Sequence, residues 1–261
     1  MALKQILKSI IGPNNIAKIR KLMEKKEPLK WPVDSPEEIE KRKHFYSTFL
    51  KKGSLFFDVG ANIGNRVEPV LMTGANVVAF EPQDYCRQVL KARFGNKIKV
   101  VNNGLGEKEE VKTFYISNAT TISSFSTDWI KSVKEDRFKE FNWDTEVKVE
   151  MTTLDKMVAK FGRPDFIKID VEGFELEVLK GLTQSVPYIS YEYTTPEQTD
   201  KAVDCLRYIE KVSGTVKCNY SIGESMKLEL DQWITPDEME KTIRSDSFVS
   251  TGFGDIYIKS I

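Results

Sequence analysis

Between residues 54 and 81 the chain writes out a strand, a glycine-bearing turn, a helix and a second strand, and few folds accept that order. Phe56-Phe57-Asp58-Val59 is an apolar-rich run that breaks at Gly60-Ala61-Asn62-Ile63-Gly64, and Val77-Val78-Ala79-Phe80 is a second run that ends in an acid, Glu81. Such a pair reads as a βαβ unit, whose strands lie parallel in one sheet. The alternation continues. Strands are expected at 54–59, 76–81, 98–102, 111–116, 146–152, 165–170 and 188–193, and near 215–220, 226–230 and 255–259. Helices are expected at about 64–73, 83–94, 173–182 and 196–211, with another opening at Thr152 or Thr153. Three helix starts carry their own capping chemistry: Ser35-Pro36-Glu37-Glu38, Thr195-Pro196-Glu197-Gln198 and Thr235-Pro236-Asp237-Glu238. In each, a hydroxyl is set to accept from the backbone, and proline suits the first turn. The pattern specifies an α/β fold with a mostly parallel sheet covered by helices on both faces.

The 261 residues, 40% of them apolar, suffice for one sizeable domain with a small appendage. The chain divides into a basic helical extension and linker over 1–47 and a domain over 48–261. Residues 1–30 hold eight basic side chains against Glu24 and Glu27, a net +6, with apolar residues at helical spacing around Gly12-Pro13. The segment fits a helical arm packed on the domain or on a partner enzyme better than a helix lying on an anionic membrane, since short amphipathic helices are common. The overall formal charge is zero, which argues against a nucleic-acid footprint. Cys86, Cys205 and Cys218 are odd in number and widely spaced, as befits reduced thiols in a cytoplasmic protein. The sole histidine is His44, so a His-based metal cluster is impossible and no metal ligand is assigned. No apolar stretch approaches the roughly 20 residues that span a bilayer.

The turn after the first strand is built to meet a nucleoside. Backbone comes close to a ligand there, and an acid at the end of the second strand takes ribose hydroxyls. A dinucleotide fingerprint needs glycine at the first, third and sixth turn positions, which here are Gly60, Asn62 and Asn65. Two of three glycines are missing, so a nested pyrophosphate is disfavoured. S-adenosylmethionine (SAM) suits what remains: it has no pyrophosphate but a zwitterionic tail, for which Asp58 is the nearby carboxylate. Asn62 tolerates the left-handed conformations such a turn requires. Glu81 would hold the ribose, and Asn103-Gly104-Leu105 would border the adenine.

Phe57-Asp58-Val59-Gly60-Ala61-Asn62-Ile63-Gly64, Ala79-Phe80-Glu81-Pro82 and Ile167-Lys168-Ile169-Asp170-Val171-Glu172-Gly173 resemble the FkbM-type SAM-dependent methyltransferases. Leu179-Lys180-Gly181 fits as well, and the similarity covers roughly residues 50–195. Gly104-Leu105-Gly106-Glu107 departs from the family's usual run there. The resemblance implies a Rossmann-like class I methyltransferase with a seven-stranded sheet, its last strand antiparallel to the others. It also implies O-methylation, often of sugars, glycans or polyketide hydroxyls. The cofactor set it gives is Asp58, Gly60, Ala61, Asn62, Gly64, Asn65, Glu81, Pro82, Gln83, Asn103, Gly104, Leu105 and Asp170.

Methyl transfer to an alcohol needs an acceptor held in line with the sulfonium and a base for its proton. With no histidine near the motif, the base is sought among Asp170, Glu172 and Glu192, which end or follow strands next to the first. Each has another use: Asp170 can hold the methionine amine, Glu172 can cap the following helix, and Glu192 can pair with Lys168. Thr120-Thr121-Ile122-Ser123-Ser124 is read as pocket lining or as a solvated loop. Trp129, Phe138, Phe141 and Trp143 are read as a sugar platform or, with better support from their spacing, as a buried helix face. The chain lacks the Asp/Asn-Pro-Pro-aromatic turn of nucleic-acid amine methylation. Besides an O-methyltransferase of sugars or of another small metabolite such as a polyketide, a SAM-binding scaffold without turnover remains an alternative.

Overall fold

Which strands lie side by side decides where a ligand can sit, and the strand order here reverses next to β1. The computed structural model describes residue 29, residues 31–135 and residues 137–261. The helical reading of residues 1–30 therefore lies outside the described residues. The seven-stranded sheet runs β3 (Ile98–Val101), β2 (Asn76–Phe80), β1 (Leu55–Val59), β7 (Phe166–Ile169), β8 (Tyr188–Thr194), β10 (Phe253–Ser260), β9 (Val216–Ile222). β10 pairs antiparallel with both β8 and β9, while the β1–β2, β2–β3, β1–β7 and β7–β8 pairs are parallel. This is the expected Rossmann-like sheet with its last strand reversed. A three-stranded sheet, absent from the sequence reading as a unit, joins β4 (Gly104–Leu105), β6 (Thr145–Thr152) and β5 (Val111–Ile116).

The helices are α1 (Pro36–Tyr46), α2 (Val67–Met72), α3 (Asp84–Phe94), α4 (Thr127–Lys134), α5 (Leu154–Phe161), α6 (Glu175–Lys180), α7 (Thr199–Ser213), α8 (Pro236–Ile243) and α9 (Asp246–Val249). Alternation along the strands sends Phe57, Val59, Ile167 and Ile169 into one buried cluster, and Phe56, Val77, Ala79 and Phe166 into another on the opposite face. The second cluster includes Phe45 and Tyr46 of α1, and Tyr46 meets Phe56 edge to face at 5.5 Å. Val33–Ile261 form one compact unit. α1 therefore belongs to the domain and not to the extension, because its aromatic end completes that face of the core. No helix among the described residues is long and apolar enough to cross a membrane.

Two of the three capped starts form as expected. Ser35 accepts from Glu38 N, and Thr235 with Glu238 closes a complete capping box. The third does not. The Thr195 hydroxyl donates instead to the Val249 carbonyl at 3.0 Å, residues 195–198 form turns, and the helix starts at Thr199. No strand forms at 226–230; there Asn219 side-chain bonds to Leu230 and a Glu229 N to Tyr220 O bond hold an irregular segment against β9.

Candidate active site

At the carboxyl end of β1 the chain turns tightly enough that Gly60 and Ala61 both donate to the Phe80 carbonyl, and Gly64 to Ala61. Gly60 (φ 82°), Asn62 (φ 46°) and Gly64 (φ 87°) take the left-handed conformations anticipated for this turn. Glycine at 60 is demanded twice, since a Cβ there would also run into the backbone carbonyl of Asp170. Gly64 packs under Leu90 and Phe94 of α3. Asn65 ends the turn on a partly exposed position.

Glu81 is buried, and each of its oxygens accepts one backbone N–H: Oε2 from Asn62 at 2.8 Å and Oε1 from Gln83 at 2.7 Å. Burial pushes its pKa up to about 7 against those bonds. A carboxylate has about four lone-pair sites, so two remain for hydroxyls of a ligand. Asp58 is 1% exposed, and neither of its oxygens has a hydrogen-bond partner. Burial raises its pKa, with Lys168 and Arg66 opposing. A buried carboxylate without a donor is costly, and an ammonium group is the partner that would complete it. These two acids and the glycine turn fit an adenosyl ligand with an amino-acid tail.

The loop after β7 supplies the second half. Lys168, 3% exposed, binds Asp170 Oδ2 at 2.7 Å, so its partner is Asp170 and not Glu192. Burial opposes the Lys168 charge, but Asp170 and Asp58 outweigh it and hold its pKa above the ordinary value. Asp170, Glu172 and Glu192 each bring one carboxylate oxygen within 4.8 Å of the others. Burial first, and then the neighbouring carboxylates, raise Glu172 and Glu192 well above the usual range. Three acids at this spacing are able to share a proton or to face a common cation. Glu172 does not cap the following helix. That helix has no side-chain cap, and its first residue, Glu175, braces the loop before it instead, its Oε1 accepting from Val171 N and Gly173 N, both at 3.1 Å. Glu172 itself stands in the left-handed region (φ 56°), held by Ser124 Oγ donating to its carbonyl at 2.7 Å.

Within 120–124 the chain is packed on one side, with only Thr121 exposed. Gln83 Nε2 donates to the Thr120 carbonyl at 2.9 Å, Ser123 Oγ to Gln83 Oε1 at 3.2 Å, and Ser123 and Ser124 are buried. Trp129 and Trp143 are buried too, in a cluster with Ile122 and Val133, and Phe138 and Phe141 pack against it. Trp129 lies directly against Gly173. Its ring is covered on both sides, which removes the sugar-platform reading for this residue and leaves the packing one. Pro82 is partly exposed beside Glu81, while Asn103 donates to the Glu150 carbonyl at 3.2 Å and Gly104-Leu105 pair with β6. Sequence reasoning missed Glu175, Arg137 and Arg66. Arg137 donates to the Thr195 carbonyl at 2.6 Å, pairs with Glu197 at 3.0 Å, and pulls against the raised pKa of Glu172. Nothing local announces the contacts of the two arginines, because their partners lie about sixty or more residues away in sequence.

The family model described as "Methyltransferase FkbM domain" matches residues 58–230. Hexuronic acid methyltransferase AglP of Haloferax volcanii is 26% identical over 154 residues, which cover 54% of this chain and 55% of that protein. Methyltransferase sdnD of Sordaria araneosa is 28% identical over 166 residues, covering 52% of this chain and 62% of that one. The chain thus matches little more than half the length of these curated relatives. Among solved structures, a TehB-like SAM-dependent methyltransferase from Corynebacterium glutamicum aligns over 95% of this chain and 97% of its own, with 10% identity and a TM-score of 0.44.

Proposed function

The chain belongs to the FkbM methyltransferase family, whose methyl donor is SAM, and we propose that it methylates a hydroxyl of a sugar or glycan. The observation that carries this reading is the convergence of Asp170, Glu172 and Glu192 beside the β1 turn. An alcohol proton is held tightly, and a carboxylate is the base this chain has to offer there. The uronic acid named for one relative supports a sugar as acceptor over a polyketide hydroxyl.

Each residue has a task in this reading. Glu81 takes the ribose hydroxyls, and Asp58 takes the ammonium of the methionine tail. Gly60, Ala61, Asn62, Gly64 and Asn65 shape the turn that the tail crosses, Pro82 and Gln83 set the ribose wall, and Asn103, Gly104 and Leu105 border the adenine. SAM supplies an electrophilic methyl on a sulfonium. Asp170 faces the reacting end, tied down by Lys168. Of the three acids, Asp170 is assigned as base, because it follows β7 directly and Lys168 fixes its carboxylate at 2.7 Å, while Glu172 and Glu192 are pushed toward protonation and orient the acceptor by donating hydrogen bonds.

Calorimetry with S-adenosylhomocysteine and a radiolabel transfer assay on a panel of glycans test this together. Glu81→Ala is expected to weaken nucleoside binding about 10- to 100-fold, since a hydrogen bond to a charged group is worth roughly 1.5–3 kcal/mol. Asp170→Asn is expected to lower kcat by about 10²–10⁴ while binding survives. Unchanged binding in the first variant, or unchanged turnover in the second, overturns the assignment. Binding without transfer to any acceptor would favour the scaffold reading.

A further inference from the structure

Two buried guanidinium groups near the β1 turn have no task in the reaction as described so far. Arg66 immediately follows the turn, and Arg42 lies on α1. Their side chains are each 8% exposed, and the Nε atom of each is buried without a hydrogen-bond partner. Arg42 is bound to Asp34 at 2.6 Å. Arg66 pairs with Glu224, and Arg42 stands 3.7 Å from the same Glu224 oxygen. Glu224 is an unusual partner for two buried cations. Its own side chain is 54% exposed, and it sits in the irregular segment after β9, next to Gly223 (φ 50°) and two residues from Met226 (φ 49°). An exposed surface carboxylate reaching to a buried basic pair fills the place of an anion without satisfying either Nε.

We infer that Arg66, backed by Arg42, receives the α-carboxylate of the SAM methionine tail, with Glu224 occupying that position when the cofactor is absent. The inference rests on the cofactor reading and assigns its one unclaimed charge. The ammonium and carboxylate of the tail hang on a single carbon, so their protein partners must be neighbours. Asp58 is the carboxylate lacking a donor, and Lys168 and Arg66 are the two cations that bear most on it. Lys168 is committed to Asp170. Arg66 keeps a free Nε, and a guanidinium edge made of Nε and one terminal nitrogen grips a carboxylate in a two-pronged fashion that a single Glu224 contact does not reach. Asp58 and Arg66 then present a negative and a positive group to a ligand carrying the complementary pair.

The test is equilibrium binding to the full chain of three probes: S-adenosylhomocysteine, its decarboxylated analogue, and 5′-methylthioadenosine, which lacks the whole amino-acid tail. Wild type is expected to bind S-adenosylhomocysteine at least about tenfold more tightly than the decarboxylated analogue, the lower end of what a charge-assisted bond supplies. Arg66→Gln is expected to erase that difference and leave methylthioadenosine unchanged. Glu224→Gln, on an exposed side chain, is expected to tighten S-adenosylhomocysteine several-fold without altering methylthioadenosine, which keeps the test decisive should Arg66→Gln fold poorly. Equal binding of the first two probes to wild type overturns the inference. So does an equal loss for all three probes in Arg66→Gln, or S-adenosylhomocysteine affinity that is unchanged or weaker in Glu224→Gln. If wild type binds none of the probes, the cofactor reading itself is what fails.

Discussion

Ser124 shows how much of this site depends on residues that do no chemistry. Its hydroxyl is fully buried, donates to the Glu172 carbonyl and accepts from Ser126 N at 2.8 Å. It therefore braces an acidic residue that stands in left-handed backbone, a conformation costing about 1–2 kcal/mol for a side chain with a Cβ. Ser124→Ala is expected to lower stability by about 1–3 kcal/mol in urea unfolding, because two buried partners lose a hydrogen bond. It is also expected to depress kcat more than the KM for cofactor, with Ser124→Thr restoring much of both. Equal effects on kcat and KM would mark Ser124 as a packing residue alone.

The strand is the scale at which the sequence was most readable and most misleading. Apolar runs and capping residues located the strands of the main sheet and the Thr235 helix start because those signals are local. They failed at Thr195, whose hydroxyl found a distant carbonyl, and at 226–230, where Asn219 side-chain bonds took the place of a ladder. The site was legible where a motif placed a residue at a strand end, as with Asp58, Glu81 and Asp170. It was illegible where register did the work. Asp58 lies beside Lys168, which lies beside Ser190, and two residues along β8 from Ser190 Glu192 faces Asp255. A polar row of this kind shows only once the strand order is known. At the loop after β7, Gly173 (φ 81°) leaves no room for a Cβ against Trp129. Gly173→Ala is expected to cost about 2–4 kcal/mol, combining backbone strain with overpacking. Thermal unfolding will show it, and an unchanged Tm would contradict the packing described here.

For the molecule as a whole, the buried acids make stability a function of pH. Burial lifts Glu81 and Glu175 to about 7 and Asp255 to about 6, against ordinary values of 4.5 and 3.8. A raised carboxyl binds its proton more tightly in the folded state. Between the ordinary values and about 7 the folded chain holds more protons than the unfolded one, so stability falls as pH rises through that window and levels off above it. The ligand-free Tm is expected to drop between pH 5 and pH 7.5. In the role proposed for Glu81 its ionised form accepts from the ribose hydroxyls, so the Tm gain from saturating S-adenosylhomocysteine is expected to be larger at pH 8 than at pH 5.5. The opposite order, measured by differential scanning fluorimetry, would contradict the role given to Glu81.

The contact of Gly60 with the Asp170 backbone has a consequence for how such proteins diverge. One seam, closed by the Asp170 N to Val59 O bond at 3.0 Å, joins the turn proposed to hold the methyl donor to the acid proposed to face the acceptor. A substitution at the seam disturbs both halves at once, so neither can be retuned there alone. On the proposed reading new acceptors are met in the 117–143 wall, whose ties run to Gln83, the Glu172 carbonyl and Thr195 and not through that backbone contact. On that reading the seam is the part of the site least open to change, and the wall the part most open to it.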